Sequence, residues 1–309
     1  MEHITRERHE RLASLLKRDV SNGEDLLLEI DIDPNILGAL QSSIKNYILD
    51  CLFESYPQST FDSNINLDEL SSTHTNEIMA LPNRTPNGLL LPKQECAFSY
   101  NVVVKNAIRL ASFLGLTETC EAAYMPLNVR LPWGDPAPEV FSRAYSSLKW
   151  HSDIWAGEWA REVMLHVPIF GNLEKNGVSF AKPPKELFPD YVRHLADYDE
   201  GIPVVEKRED YDLTMRIGKA YLVDSFLLHK TLCGDPSFRG ILSFPLRPGA
   251  ILESDVYTNP HRENDFIPIE EWKEFGTKRI VTTSKVLEHY EGPDNANIAY
   301  AHSYELKVL

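Results

Sequence analysis

The sequence predicts an antiparallel β core with α-helices segregated to one side. Two observations carry this. Over roughly the first third, apolar residues recur at helical spacing; after Thr119 the apolar runs become short and alternate, with Pro- and Gly-rich turns between them. A third observation concerns organisation. No repeat, low-complexity tract or composition break divides the chain, so residues 1–309 are expected to form a single domain. Within it, a helical part runs over about 1–118, a β core over about 119–250 and a C-terminal extension over about 251–309.

Taken in order, Met1 to Val20 is charged and carries Leu12, Leu15 and Leu16 on a helical repeat, until Ser21-Asn22-Gly23 breaks it. Asp33-Pro34 forms a helix start, because an Asp side chain caps orphan N–H groups and Pro suits the first turn. Ile36, Leu37, Leu40, Ile44, Tyr47, Ile48 and Leu52 keep a 3.6-residue period up to Tyr56-Pro57. Phe61 to Leu91 is polar and holds Pro82, Pro86, Asn87-Gly88 and, just beyond, Pro92; it reads as a long loop or lid. A further helix is expected from about Gln94 to Leu114, stopped by Gly115. Strands are expected at Glu121–Leu131, Leu148–Asp153, Arg161–Phe170, Lys219–Leu228, Phe238–Leu246 and Arg279–Thr283, and Leu173 to Asp210 reads as a second lid segment.

Charge and cysteine content remove several classes of function. With 31 Lys+Arg against 46 Asp+Glu, the net charge of −15 repels phosphate backbones and anionic lipid, so neither nucleic acid nor a membrane surface is expected as a partner. No run of about 18 apolar residues is present to span a bilayer. Cys51, Cys96, Cys120 and Cys233 are scattered and form no C-x-x-C pair, which suits reduced thiols rather than a disulfide scaffold or a zinc ribbon. The N-terminal stretch is charged (Glu2, Arg6, Glu7, Arg8, Glu10, Arg11) and lacks the apolar run of a secretory signal, so a cytoplasmic location is expected. The oligomeric state stays open.

The chemistry centres on Lys149-Trp150-His151-Ser152-Asp153. Side chains two apart in a strand share a face, so His151 and Asp153 can aim a ring nitrogen and a carboxylate oxygen at one point. His229 lies at the end of the apolar run Tyr221 to Leu228. Two histidines and one carboxylate form a facial triad that leaves coordination positions open on Fe(II). After His229 comes a turn, and then an apolar stretch opening with Arg239, ten residues beyond the histidine. An antiparallel hairpin there would return Arg239 beside His229, where its planar guanidinium grips a carboxylate in a way Lys cannot copy. Thr231 could add a hydroxyl to the same group. Arg247 is the competing anchor, weaker because Pro248-Gly249 ends its strand.

His151-x-Asp153, a distal His229 with Thr231 two residues on, and the downstream Arg239 resemble the Fe(II)/2-oxoglutarate-dependent dioxygenases, in particular the phytanoyl-CoA-hydroxylase-like branch. The stretch around Trp150 to Asp153, with the strand from Glu162 to Asn172, is further similar to the oxygenases of carbohydrate and aminoglycoside gene clusters, the streptomycin-cluster type. The likeness covers about Glu121 to Pro248. It implies a double-stranded β-helix, a cupin-like jelly roll. It also implies Fe(II) on His151, Asp153 and His229, and 2-oxoglutarate on the iron with its far carboxylate on Arg239 and Thr231. O2 is the co-reactant, with succinate and CO2 released as a C–H bond of a small polar metabolite is hydroxylated. The narrower likeness points to a sugar or aminocyclitol of secondary metabolism. Related halogenases have Gly or Ala in place of the carboxylate, and Asp153 argues against that activity. The alternative kept beside this reading is a metal-dependent, cupin-like isomerase, epimerase or lyase that uses the triad without oxidation and needs no Arg239. A further alternative, a jelly-roll binding protein without chemistry, is opposed by the complete residue set.

Other residues were weighed by their setting. Asn128 and Arg130 share a face of the strand before Pro132 and are expected to line the cosubstrate pocket. Trp133, Trp150, Trp155 and Trp159 surround the first metal motif, and Trp155, entering a loop after the ligands, is the expected substrate contact. His166 sits in a strand pattern and reads as a core histidine. Histidines 3, 9, 261, 289 and 302 read as surface residues, and His74 and His194 as loop residues.

Overall fold

The computed structural model describes residues 2–16, 25–85, 87–183, 193–256, 266–283 and 304–308. The Ser21–Gly23 break, Pro86, Pro184, His261, His289 and His302 lie outside the described residues.

Helix α1 (Glu2–Leu15) leads to strand β1 (Leu27–Asp31) and then helix α2 (Pro34–Ser55). Asp33 caps α2 as its sequence predicts, with Oδ1 accepting from Asn35 N at 2.8 Å and Ile36 N at 3.2 Å. Helices α3 (Leu67–Thr73) and α4 (Thr75–Met79) and the short strand β2 (Leu89–Leu90) occupy the stretch expected to be a bare loop. That expectation is corrected here: Asn66 caps α3, accepting from Glu69 N at 2.9 Å, and Leu67, Leu70 and Ile78 are buried against the core. Helix α5 (Ala97–Phe113) follows and packs on α2 through Tyr47 and Tyr100, whose rings meet edge-on at 5.4 Å. Gly115 stops the helical run with φ of +79°, a conformation that L side chains rarely adopt.

In the rest of the described chain the regular elements are mostly strands. A short helix, α6 (Leu116–Thr119), precedes β3 (Cys120–Tyr124) and β4 (Asn128–Arg130). Then come β5 (Val163–Gly171), β6 (Val178–Phe180), β7 (Lys219–Asp224), β8 (His229–Thr231), β9 (Arg239–Pro248), β10 (Phe266–Pro268), β11 (Arg279–Thr283) and β12 (Tyr304–Val308). The principal sheet is antiparallel and ordered β1-β7-β5-β9-β3-β10, with β4 also on β9 and β2 on β4. A second, small sheet pairs β6 with β8, and β11 pairs with β12.

Alternation along the central strands decides what each face meets. Val163, Leu165 and Val167 of β5, with Leu242, Phe244 and Leu246 of β9, face one way and pack with Leu40, Tyr47, Leu52, Tyr100 and Val104 of α2 and α5. This is the helix layer on one face that the sequence implies. Ile241, Tyr221 and Val223 face the other way and join a second core with Trp155, Phe180, Tyr198, Phe226 and Leu228. The functional cavity opens on this second side, between the principal sheet and the small sheet. No helix among the described residues is long and apolar enough to cross a membrane.

A buried charge network joins the start of the chain to this second side. Arg8, fully buried, donates to Asp224 at 2.8 Å, Ser254 at 3.0 Å and Asp255 at 3.3 Å, and also reaches the Ala160 carbonyl. Arg11 holds Asp255 with contacts of 2.8 and 2.7 Å, and the Arg8 guanidinium lies 3.6 Å from the centre of the Phe226 ring. Burial pulls the Arg8 pKa down and Asp224 opposes it. Removing one partner strands charge in an apolar interior, at a cost of about 3–5 kcal/mol. Arg8→Met should therefore lower unfolding free energy in urea by about that amount. The exposed control Arg6→Met should change it by less than about 0.5 kcal/mol. Equal effects from the two substitutions would contradict the network's role.

Candidate active site

The two histidines are brought together by backbone, not by strand alternation. His151 N donates to His229 O at 2.9 Å and His229 N donates to His151 O at 2.8 Å, an isolated antiparallel bridge. Directly opposed residues share a face, so the rings lie 4.2 Å apart between centroids. The expected strand over Leu148–Asp153 is corrected: only His151 is bridged, and Asp153 opens a 3₁₀ turn through Ala156 that Gly157 ends at φ +85°. That turn, rather than a two-residue repeat, swings the Asp153 carboxylate toward the imidazoles. Ser152 Oγ donates to the Ser225 carbonyl at 2.8 Å and ties the two ligand-bearing segments together again.

His151, Asp153 and His229 each offer one ligand atom, all within 4.8 Å of one another. His151 Nδ1 lies 2.8 Å from the Lys149 carbonyl and His229 Nδ1 3.0 Å from the Leu227 carbonyl. A carbonyl only accepts, so each Nδ1 carries its proton and each Nε2 keeps its lone pair for the cavity. His229 Nε2 and Asp153 Oδ1 stand 3.6 Å apart, too far for a hydrogen bond, so they face a common point without bonding to each other. Burial, reinforced by His229, drives the His151 pKa well below its ordinary value, keeping the ring neutral as metal ligation requires. Two imidazoles with Nε2 free toward the cavity and one carboxylate suit a first-row divalent ion such as Fe(II), with positions left open.

The cavity around this triad holds about 100 Å³ and is lined by polar groups that include Asn128, Arg130, Tyr198, Thr231 and Arg239. Arg239 is 3% exposed and donates from Nη2 to Thr231 Oγ1 at 3.2 Å. Burial, then the charge of Arg130, lowers its pKa to about 9. Among the described residues no carboxylate lies within ion-pair distance of it. The hairpin expected to deliver it is corrected: β8 pairs with β6 and β9 pairs with β5, so Arg239 reaches Thr231 across the gap between two sheets. Arg247 lies elsewhere, over Trp159 at 3.8 Å and Phe266 at 4.5 Å, and does not line the cavity.

Trp155 is also corrected. It is 0% exposed, belongs to the second core and does not line the cavity; a Cβ on Gly201 would sit 2.2 Å from its ring. The aromatic wall is Tyr198, stacked on His151 at 4.4 Å and 17°. Sequence reasoning missed it. The only signal was an aromatic between two acids, Asp197 and Asp199, and those acids hold Lys149 at 2.9 and 2.7 Å. His166 was expected to be core, but it lines the cavity.

No family model matches the sequence, and a search of curated proteins gives no significant match. Among solved structures, the chain is similar to EctD from S. alaskensis with 2-oxoglutarate and 5-hydroxyectoine, at 14% identity and TM-score 0.38, over 72% of each chain. AviO1 from Streptomyces viridochromogenes Tue57 matches at 12% identity and TM-score 0.42, over 74% of this chain and 92% of that one. An N-substituted L-amino acid dioxygenase from Burkholderia ambifaria AMMD matches at 15% identity and TM-score 0.38, over 79% and 90%. Scores of this size settle neither fold nor function, so the case for function lies in the chain's own side chains.

The depressed histidines give a pH dependence in the metal-free protein. His166, like His151, is held well below its ordinary pKa, by burial and then by His229. Both stay neutral in the fold while the unfolded chain takes up protons. Their contribution is therefore full above about pH 6.5 and is lost as pH falls below it, by about 1.4 kcal/mol per pH unit for each ring. Urea unfolding between pH 7 and 5.5 should show His166→Gln with a shallower slope, the difference approaching one proton toward pH 5.5. Identical slopes would contradict it.

Proposed function

We propose that the chain is a non-haem Fe(II)/2-oxoglutarate-dependent oxygenase acting on a small polar metabolite. The observation that carries this is a buried guanidinium, Arg239, without a carboxylate partner among the described residues, in the same cavity as a His-Asp-His triad. An uncompensated buried cation is costly unless an anion completes it. The triad supplies a place for a metal, and Arg239 with Thr231 supplies a place for the far carboxylate of a chelating dianion.

In this reading the whole of 1–309 serves one catalytic domain, with the two facing sheets as a jelly-roll core. His151, Asp153 and His229 hold Fe(II), and their Nδ1–carbonyl bonds keep both Nε2 atoms aimed at it. Iron with 2-oxoglutarate and O2 would supply the oxidising chemistry, releasing succinate and CO2. Arg239 and Thr231 orient the cosubstrate from its far end; Asn128 and Arg130 line the space beside it. Tyr198 shields one face of His151. Asn87, Tyr145, Ser147 and Glu158 give the cavity a lining that fits a small hydroxyl- or amine-bearing substrate, the class to which a sugar or aminocyclitol belongs. A cupin-like isomerase or lyase would use the triad and leave Arg239 without purpose.

The test is succinate release from 2-oxoglutarate with Fe(II) in air over a panel of polar metabolites. Loss of a charge-assisted pair costs about 1.5–3 kcal/mol, so Arg239→Leu should raise the KM for 2-oxoglutarate by about 10–150-fold and leave Fe(II) affinity unchanged. An unchanged KM, or turnover that needs neither 2-oxoglutarate nor air, would refute the assignment.

A further inference from the structure

The cavity has a polar strip that the ligand set above does not use. β4 pairs Asn128 with Ser243 of β9, and β5 pairs His166 with the same Ser243. Opposed residues on neighbouring strands share a face. Asn128 and His166 both line the cavity, and Ser243 stands between them on that face. Leu165 and Val167, the neighbours of His166, point the opposite way into the helix-side core.

Two atoms in this row have no hydrogen-bond partner. Ser243 is 1% exposed and its Oγ is unpaired, and His166 Nε2 is likewise shut off from solvent and unpaired. Buried polar atoms are paired in roughly 90% of cases or more, so two exceptions side by side against a ligand cavity point to a ligand atom. The location narrows which one. The His166 ring lies 6.4 Å from the His229 ring, and the charges acting on it are those of His229, Arg130 and Arg239. His166 thus lines the same cavity as the triad and the buried guanidinium, with its ring near that of His229.

We infer that His166 is a binding residue for the metal-chelating end of 2-oxoglutarate, donating from Nε2–H to an oxygen of its carboxylate or ketone. The inference rests on the oxygenase reading of the cavity. A core histidine at this strand position ordinarily turns its nitrogen to a protein partner; here Nε2 has none, although the residue lines the cavity.

The experiment is anaerobic calorimetric titration of 2-oxoglutarate into Mn(II)-loaded protein. His166→Phe should raise the Kd for 2-oxoglutarate at least about tenfold, with the Kd for Mn(II) held within about twofold. His166→Gln, which restores a side-chain N–H, should recover much of that loss. An unchanged 2-oxoglutarate Kd overturns the inference. So does equal weakening of metal and 2-oxoglutarate, which would make His166 only a prop for His229. Should His166→Phe fail to fold, the wild type decides. Its His166 Nε2 resonance, assigned against His166→Gln in ¹⁵N-histidine-labelled, Zn(II)-loaded protein, should move when 2-oxoglutarate is added, and a stationary resonance overturns the assignment. Wild type that binds Mn(II) but no 2-oxoglutarate brings down the oxygenase reading itself, and His166's role with it.

Discussion

The site depends on one backbone constraint, the reciprocal hydrogen bonds between His151 and His229. They place two residues distant in sequence directly opposite each other, with both rings on one side. Everything else at the triad reinforces that pairing. Ser152 fastens to Ser225, the Nδ1 atoms fasten to carbonyls two residues upstream, and the 3₁₀ turn delivers Asp153. Arg8 reaches the same two segments from behind, through the Ala160 carbonyl and Asp224. The N-terminal helix thus belongs to the architecture of the triad-bearing segments, although it holds no residue in the cavity.

Two solutions to buried positive charge coexist in this fold. Arg8 and Arg11 are matched by Asp224 and Asp255 and by hydrogen bonds to Ser254 and Ala160, so both charges meet carboxylates within the protein. Arg239 has the Thr231 hydroxyl and, among the described residues, no carboxylate. In the proposed reading, that contrast separates a structural cation from one that meets a ligand. It also limits what the overall charge of −15 explains. Most of the acidic residues lie outside the cavity, whose lining sets Arg130 and Arg239 beside Asp153 and Glu158.

The elements with strong local signals were legible in the sequence. Asp33-Pro34 and the apolar period of α2, the stop at Gly115, and the central strands β5, β7 and β9 lie close to their expected positions. The site was legible as a residue set and poorly legible as geometry. Three-residue strands such as β6 and β8 carry too little pattern to reveal a second sheet, so the approach of Arg239 to Thr231 was assigned to a hairpin and in fact spans two sheets. Tyr198, which carried no expectation, takes the place expected of Trp155 for a related reason. Which aromatic faces the cavity is decided by how the 193–201 segment folds over the 3₁₀ turn, a tertiary contact with no periodicity. His166 was hidden by its strand, whose alternation shows that two faces exist but not that one of them borders a cavity.

The absorption spectrum of the protein with Fe(II) and 2-oxoglutarate under strict anaerobiosis bears most directly on the central claim. Chelation of iron by the cosubstrate at His151, Asp153 and His229 should give a weak visible charge-transfer band that is absent with Fe(II) alone and lost in Asp153→Ala. A wild-type protein that binds Fe(II) yet shows no such band at saturating 2-oxoglutarate, or an Asp153→Ala protein that keeps it unchanged, would contradict the account.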